Sequence, residues 1–236
     1  MSQLTQQEQM AVELVARHVS AAWEGSEDDS SHAYLTTAGK RIAVEFTTIG
    51  QGIVEQRNLS KPRLRFDKVA QRVILSLQTA LSAVVPDGEA VIVTMTAPIR
   101  LPSQTVATLE VLIRNWLAQE TTQDIEGVVH GNRIRVRRVK GVSARMPRVI
   151  GFVHNPDSDT ELLLHVTQSM LHHIGAAADR PLPKAPADDR WLVIVTQDGP
   201  AYGDTYRQVY SQVSTANDFK KVLMVFGGQK VETLTG

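Results

Sequence analysis

The chain has no cysteine. That removes disulfides, thiolate zinc sites and cysteine nucleophiles together, and it suits a reducing compartment. It has no excess of charge either: 25 Lys and Arg balance 25 Asp and Glu. Balance excludes a protein that is basic all over, but not a local basic patch. No apolar run approaches the roughly 20 residues needed to cross a bilayer. The start, Met1 to Glu8, lacks a positive segment followed by an apolar one, so no signal peptide is expected. There is no internal repeat, no low-complexity tract and no Gly-x-Ser-x-Gly nucleophile elbow. Gly227-Gly228 is a turn rather than a phosphate loop, because no Lys-Ser/Thr follows it. These absences lead to the expectation of a soluble, cytoplasmic protein without a membrane partner; they leave a homo-oligomer open.

What is present is enough apolar residue, 42% of 236, to build a real core, and a single domain over 1–236 is expected. Residues 5–23 read as a helix with Ala11, Leu14, Val15, Ala22 and Trp23 on one face and Thr5 with Glu8 as a capping box. An acidic loop follows, Glu24 to Ser31. The first 30 residues hold six acids and one arginine. Ala33–Thr37 and Arg41–Thr47 read as a hairpin around Ala38-Gly39, and a polar connector runs from Gly50 to Pro62. Helices are expected over 64–85, 103–119, 159–177 and 205–213, strands over 89–95, 149–153, 191–196 and 219–226, and a hairpin over 125–139 around Gly131-Asn132. The runs 42–44, 91–93, 192–195 and 222–225 are apolar throughout instead of alternating, as strands covered on both faces are. Helices and strands alternate, so the class is α/β, with α+β as the neighbouring reading, built on a mixed central sheet flanked by helices. The expected core is 5–95 with 190–236, and a basic hairpin is inserted around 125–153.

Glu45 stands out. It follows Ile42, Ala43 and Val44 directly, and a carboxylate at the end of a buried run costs several kcal/mol unless it is paired, hydrogen-bonded or on a metal. The plain reading is a strand-end acid in solvent or paired with Lys40 or Arg41. The sharper one is a site. Helix, acidic loop, strand, turn, strand ending in Glu45-Phe46-Thr47, then helix resembles the PD-(D/E)XK, restriction-endonuclease-like, nuclease superfamily. That family places an acid near the first hairpin strand and (Asp/Glu)-x-Lys on the second, and some branches carry Thr for the Lys. The resemblance implies a restriction-endonuclease-like core. It also implies Mg²⁺ held by Glu45 with Asp28 or Asp29 from the loop, activating water against a phosphodiester. His32 stands where the family's Pro-Asp is expected, 13 residues before Glu45, and becomes a base or ligand alongside Thr47. Glu13 or Glu24 takes the helical acid's place. The missing Lys points to weak or absent cleavage.

A second lead is segment 127–155, which carries Arg133, Arg135, Arg137, Arg138, Lys140, Arg145 and Arg148 and no acid. In a strand Arg133, Arg135 and Arg137 share one face, suited to phosphates of DNA or RNA. The plain reading is an edge strand guarded by charge or ion pairs with the acidic N-terminal segment. No aromatic residue interleaves these arginines, so a single-strand stacking platform is not indicated. His165, His172 and His173 share one helix and read as surface or half-buried residues. The function expected is a divergent, metal-dependent nuclease-like protein, slow or inactive, that acts on or binds nucleic acid, or else a non-catalytic α/β protein with a structural or protein-interaction role.

Overall fold

The computed structural model describes residues 4–25, 32–50, 63–119, 121, 123–182, 185–214, 218–227 and 230–234. The chain begins with α1 (Gln6–His18), where Thr5 and Glu8 form the expected capping box. There follow β1 (Ala22–Gly25), β2 (His32–Thr37), β3 (Lys40–Ile49), α2 (Lys68–Leu81), β4 (Glu89–Thr96), α3 (Pro102–Ala118), β5 (Ile125–Val129), β6 (Asn132–Lys140) and β7 (Val149–His154). The last elements are α4 (Thr160–Ala178), β8 (Asp189–Thr196), α5 (Gly203–Val213), β9 (Lys221–Phe226) and β10 (Lys230–Thr233). The two hairpins expected from the sequence turn through two residues of positive φ, Ala38-Gly39 and His130-Gly131, the pairing that a twisted two-residue turn requires. The second turn sits one residue before the Gly131-Asn132 expected.

The class is α/β with mixed sheets. Among the described residues there are two sheets, not one. The first has the order β1-β2-β3-β8-β9-β10, with β3, β8 and β9 parallel. The second has the order β5-β6-β4-β7, with β4 and β7 parallel. β4 therefore joins the basic hairpin instead of the strands around β3. Its apolar run announces burial on both faces but does not name a neighbour. Ala22 and Trp23, expected on the helix, form the exposed strand β1, because α1 ends at His18 and Ser20 takes a positive φ.

Three packed interiors explain the unbroken apolar runs. α1 covers the outer face of the first sheet, setting Val12 and Val15 against Val44, Phe46, Val193 and Val225. α4 and α5 lie between the sheets, where Leu163, Ile174 and Val209 meet Ile194 and Met224 from one side and Ile92 and Ile150 from the other. α2 and α3 cover the outer face of the second sheet, with Leu77, Leu109 and Ile113 on Val91, Val93 and Val136. The layers run helix, sheet, helix, sheet, helix, and every central strand is covered twice. No helix among the described residues is long and apolar enough to cross a membrane.

Candidate functional site

Glu45 lies in the interior. The antiparallel register sets His32 on β2 opposite Glu45 on β3, and the parallel register sets Arg190 on β8 level with Ala43. All three side chains face α4, and their exposures are 1% for His32, 0% for Glu45 and 8% for Arg190. Arg190 donates from Nε to Glu45 Oε1, and its Nη2 makes an ion pair with the same oxygen. His32 Nε2 lies 3.3 Å from the same oxygen. Arg190 Nη2 also donates to the carbonyls of Ala177 at 3.0 Å and Arg180 at 3.3 Å, so the cation closes the negative end of α4. Its guanidinium carbon lies 4.6 Å from the centre of the Phe219 ring. The carboxylate is paired, as its burial requires, but with Arg190 instead of Lys40 or Arg41. Glu45 Oε2 is buried without a hydrogen-bond partner among the described residues.

Thr47 Oγ1 lies 3.0 Å from His173 Nδ1, and Arg180 donates to the Phe46 carbonyl at 2.7 Å. α4 is thus lashed to β3 along its last turns. His173 is held below the usual imidazole pKa, by burial first and then by the neighbouring His172 and Arg180. His165 is exposed, and His172 and His173 are half-buried.

No second acid reaches Glu45 among the described residues. Glu13 is exposed on α1, which packs on the other face of the sheet. Glu24 is exposed on β1 and paired with Arg41 at 2.8 Å. Asp28 and Asp29 lie outside the described residues. Among the described residues no cluster of three or more His, Asp or Glu could hold a metal ion. Glu45, His32 and Arg190 line none of four cavities at the surface of the described residues.

The basic hairpin carries its own counter-ions. Arg135 pairs with Asp124 at 3.2 Å, with Glu126 at 2.8 Å and with Glu161. Arg137 pairs with Asp124 at 2.8 Å and Glu161 at 3.3 Å. Desolvation opposes the charge on Arg137, but these acids outweigh it and raise its pKa. Arg138 pairs with Glu89 at 2.5 Å. Arg145 and Arg148 pair with Asp218 and Asp87. Arg133 and Lys140 are exposed and have no ion partner among the described residues. The ion-pair reading therefore describes Arg135, Arg137 and Arg138, although their acids come from neighbouring elements and not from the N-terminal segment.

Arg133 opens onto a different place. On the inner face of the second sheet, Glu126, Arg135, Thr94 and Phe152 stand level across all four strands. One step toward the carboxyl ends of β4 and β7 come Val128 paired with Arg133 and Thr96 paired with His154. These polar residues floor a cavity of about 440 Å³ that also touches Thr160, in the first turn of α4. β4 and β7 are adjacent and parallel, yet β4 leads to α3 on the outer face and β7 to α4 on the inner. The strand order switches direction there, which is where open α/β sheets form their binding crevice. His154 is 4% exposed, and its Nδ1 lies 2.8 Å from the Asn155 carbonyl. With that nitrogen donating, Nε2 is left as an acceptor. Its pKa is lowered, by burial first, with the charge of Arg133 acting in the same direction against the Asn155 bond.

Sequence reasoning missed Arg190, His154, Thr94 and Thr96. Each had a signal: a charged or polar residue at the very end of an apolar run, the same signal that singled out Glu45. No protein-family model matches the chain, and no curated protein or solved structure matches it. Function has to be read from the chemistry of the side chains.

Proposed function

We propose that this chain is a non-catalytic α/β binding protein that takes a small oxyanion, a phosphate or carboxylate group, into the crevice at the carboxyl ends of β4 and β7. The observation that carries the reading is Arg133, the one cation lining that cavity without an ion partner among the described residues. Thr94, Thr96 and Thr160 supply hydroxyl donors around it, and His154 Nε2 offers an acceptor to a ligand hydroxyl. The start of α4 adds a favourable dipole. Enzyme chemistry has less support: Glu45 is neutralised by Arg190 and enclosed, so Mg²⁺ has no role in this reading. The lack of cysteine fits a reducing, cytoplasmic setting.

Nucleic acid is the second source of the same oxyanion. Arg133 and Lys140, exposed on one strand, favour it. Neutralisation of Arg135, Arg137 and Arg138 counts against it, because polyanion affinity grows with the number of free cations. Calorimetry separates the two. Inorganic phosphate should bind the parent and not Arg133→Ala. A short DNA or RNA duplex should bind no better than phosphate, with a salt slope near one. A slope of three or more would favour nucleic acid, and no binding of either would end the reading.

A further inference from the structure

β7 has an open edge. Residues on a strand in parallel pairing alternate in the side to which they offer both backbone groups. The carbonyls of Arg148 and His154 accept from β4 and its continuation, through the amides of Val91 and Ala97, each at 2.8 Å. Val149, Gly151 and Val153 must therefore face away from β4. Two of them show it: the Val153 carbonyl accepts from Arg65 N at 2.7 Å, and the Val149 carbonyl accepts from the Gln78 amide at 3.3 Å. Gly151 lies between them and is buried. Among the described residues nothing bonds its N–H or its carbonyl, and buried backbone groups are nearly always paired.

The space beside Gly151 is an apolar cavity of about 260 Å³ between α2 and α5. Its walls include Phe66, Ile74, Leu75 and Phe152, with Gln78 and Gln212 as amides. Phe66 and Leu75 are 46% and 63% exposed. A Cβ on Gly151 would stand 2.3 Å from Ile74 Cδ1, so Ile74 would have to move. Strand pairing at this edge already occurs: the chain at Leu64 bridges His154 in antiparallel fashion, with Asn155 N donating to the Arg63 carbonyl at 2.9 Å. That short strand ends where α2 begins, at its cap Asp67, and among the described residues no strand pairs with the edge from Gly151 to Val149.

We propose that this edge binds an extended, uncharged, apolar peptide of a partner protein as an added antiparallel strand, in line with the Leu64 segment. Main-chain bonds to Gly151 would give affinity, and the pocket under Leu75 and Phe66 would select an apolar side chain on the face toward α2. Charge argues for a neutral occupant: the one charged wall residue, Arg65, is paired with Asp67 at 3.3 Å. The three-residue gap suits a short segment better than the full ladder of a second copy, since Arg63 to Arg65 already occupy the end of the edge.

The experiment is an amide spectrum of the labelled chain titrated with an acetylated, amidated pentapeptide of alternating valine and threonine. The Gly151 amide should shift, and its hydrogen exchange should slow at least tenfold. Leu75→Glu, at a largely exposed position that leaves the core intact, should weaken the peptide at least tenfold. The same peptide N-methylated at alternate amides should not bind. Three results would overturn the proposal: a Gly151 amide already protected in the free chain, protection that rises with protein concentration alone, or a peptide that leaves Gly151 unmoved. A failure of phosphate to bind at Arg133 leaves this test untouched.

Discussion

Two charged places in this molecule look alike in the sequence and differ in space. Both belong to strands with an apolar face: Glu45 follows the run Ile42 to Val44, and Arg133 alternates with Ile134 and Val136 at the start of β6. Glu45 is sealed, because Arg190 from the neighbouring parallel strand and His32 from the hairpin partner converge on one oxygen while the end of α4 closes over Arg190. Arg133 is open, because its strand runs to the rim of the second sheet, where two parallel strands send their helices to opposite faces. A charge in a strand is thus sealed or left open according to what the adjacent strands place beside it.

The comparison breaks most visibly at the sealed pair. Arg190→Met alone leaves a buried carboxylate without its cation and should destabilise the chain by about 3–5 kcal/mol, as should Glu45→Leu alone. The double replacement should recover most of that loss, since a buried pair exchanged for apolar residues is often neutral. Urea unfolding of the four proteins checks it, and equal additive losses would mean the two groups do not act as a pair.

At the ion pairs beside the crevice the effect should be smaller. Arg135→Ala removes a partly exposed residue from its three acids and should cost at most about 1 kcal/mol, because exposed pairs are screened. The same unfolding measurement reads it. A loss near that of Arg190→Met would erase the contrast between the two regions.

Each region also holds a histidine with a lowered pKa, His173 against Thr47 and His154 in the crevice. The unfolded chain binds protons on these rings at a higher pH than the folded one. Their contribution is therefore present above the ordinary value near 6.5 and is lost as pH falls below it toward the folded values. Melting temperature should fall as pH drops from 7 to 5, and His154→Gln should flatten part of that slope. The smallest effect on stability belongs to Arg133→Ala, within about 0.5 kcal/mol of the parent, even though the same change should abolish phosphate binding.

Much of the fold was legible. The capping box of Thr5 and Glu8, the hairpin at Ala38-Gly39 and four apolar runs all carry local signals, since helix and strand periods are written in neighbouring residues. Pairing was not. That β4 belongs with β6 and β7, and that β8 sets Arg190 beside Glu45, depends on contacts between residues far apart, 145 positions in the latter case. The burial of Glu45 could be read from its apolar run, while its partner was hidden because nothing local tells that the strand led by Arg190 lies parallel beside β3. Arg133, Arg135 and Arg137 were recognised as one face, but the acids that neutralise Arg135 and Arg137 come from elsewhere: Asp124 just before β5, Glu126 on β5 and Glu161 on α4.

One amide and side-chain spectrum of the labelled chain tests the contrast most directly, taken first with inorganic phosphate and then with Mn²⁺. The account predicts that phosphate shifts the resonances of Arg133, Thr96 and His154, and that Mn²⁺ broadens none of those of His32, Glu45, Thr47 and Arg190 selectively. Selective broadening around Glu45 that disappears in Glu45→Gln, with Arg133 unmoved by phosphate, would contradict it: the sealed pair would be the site and the open crevice a bystander.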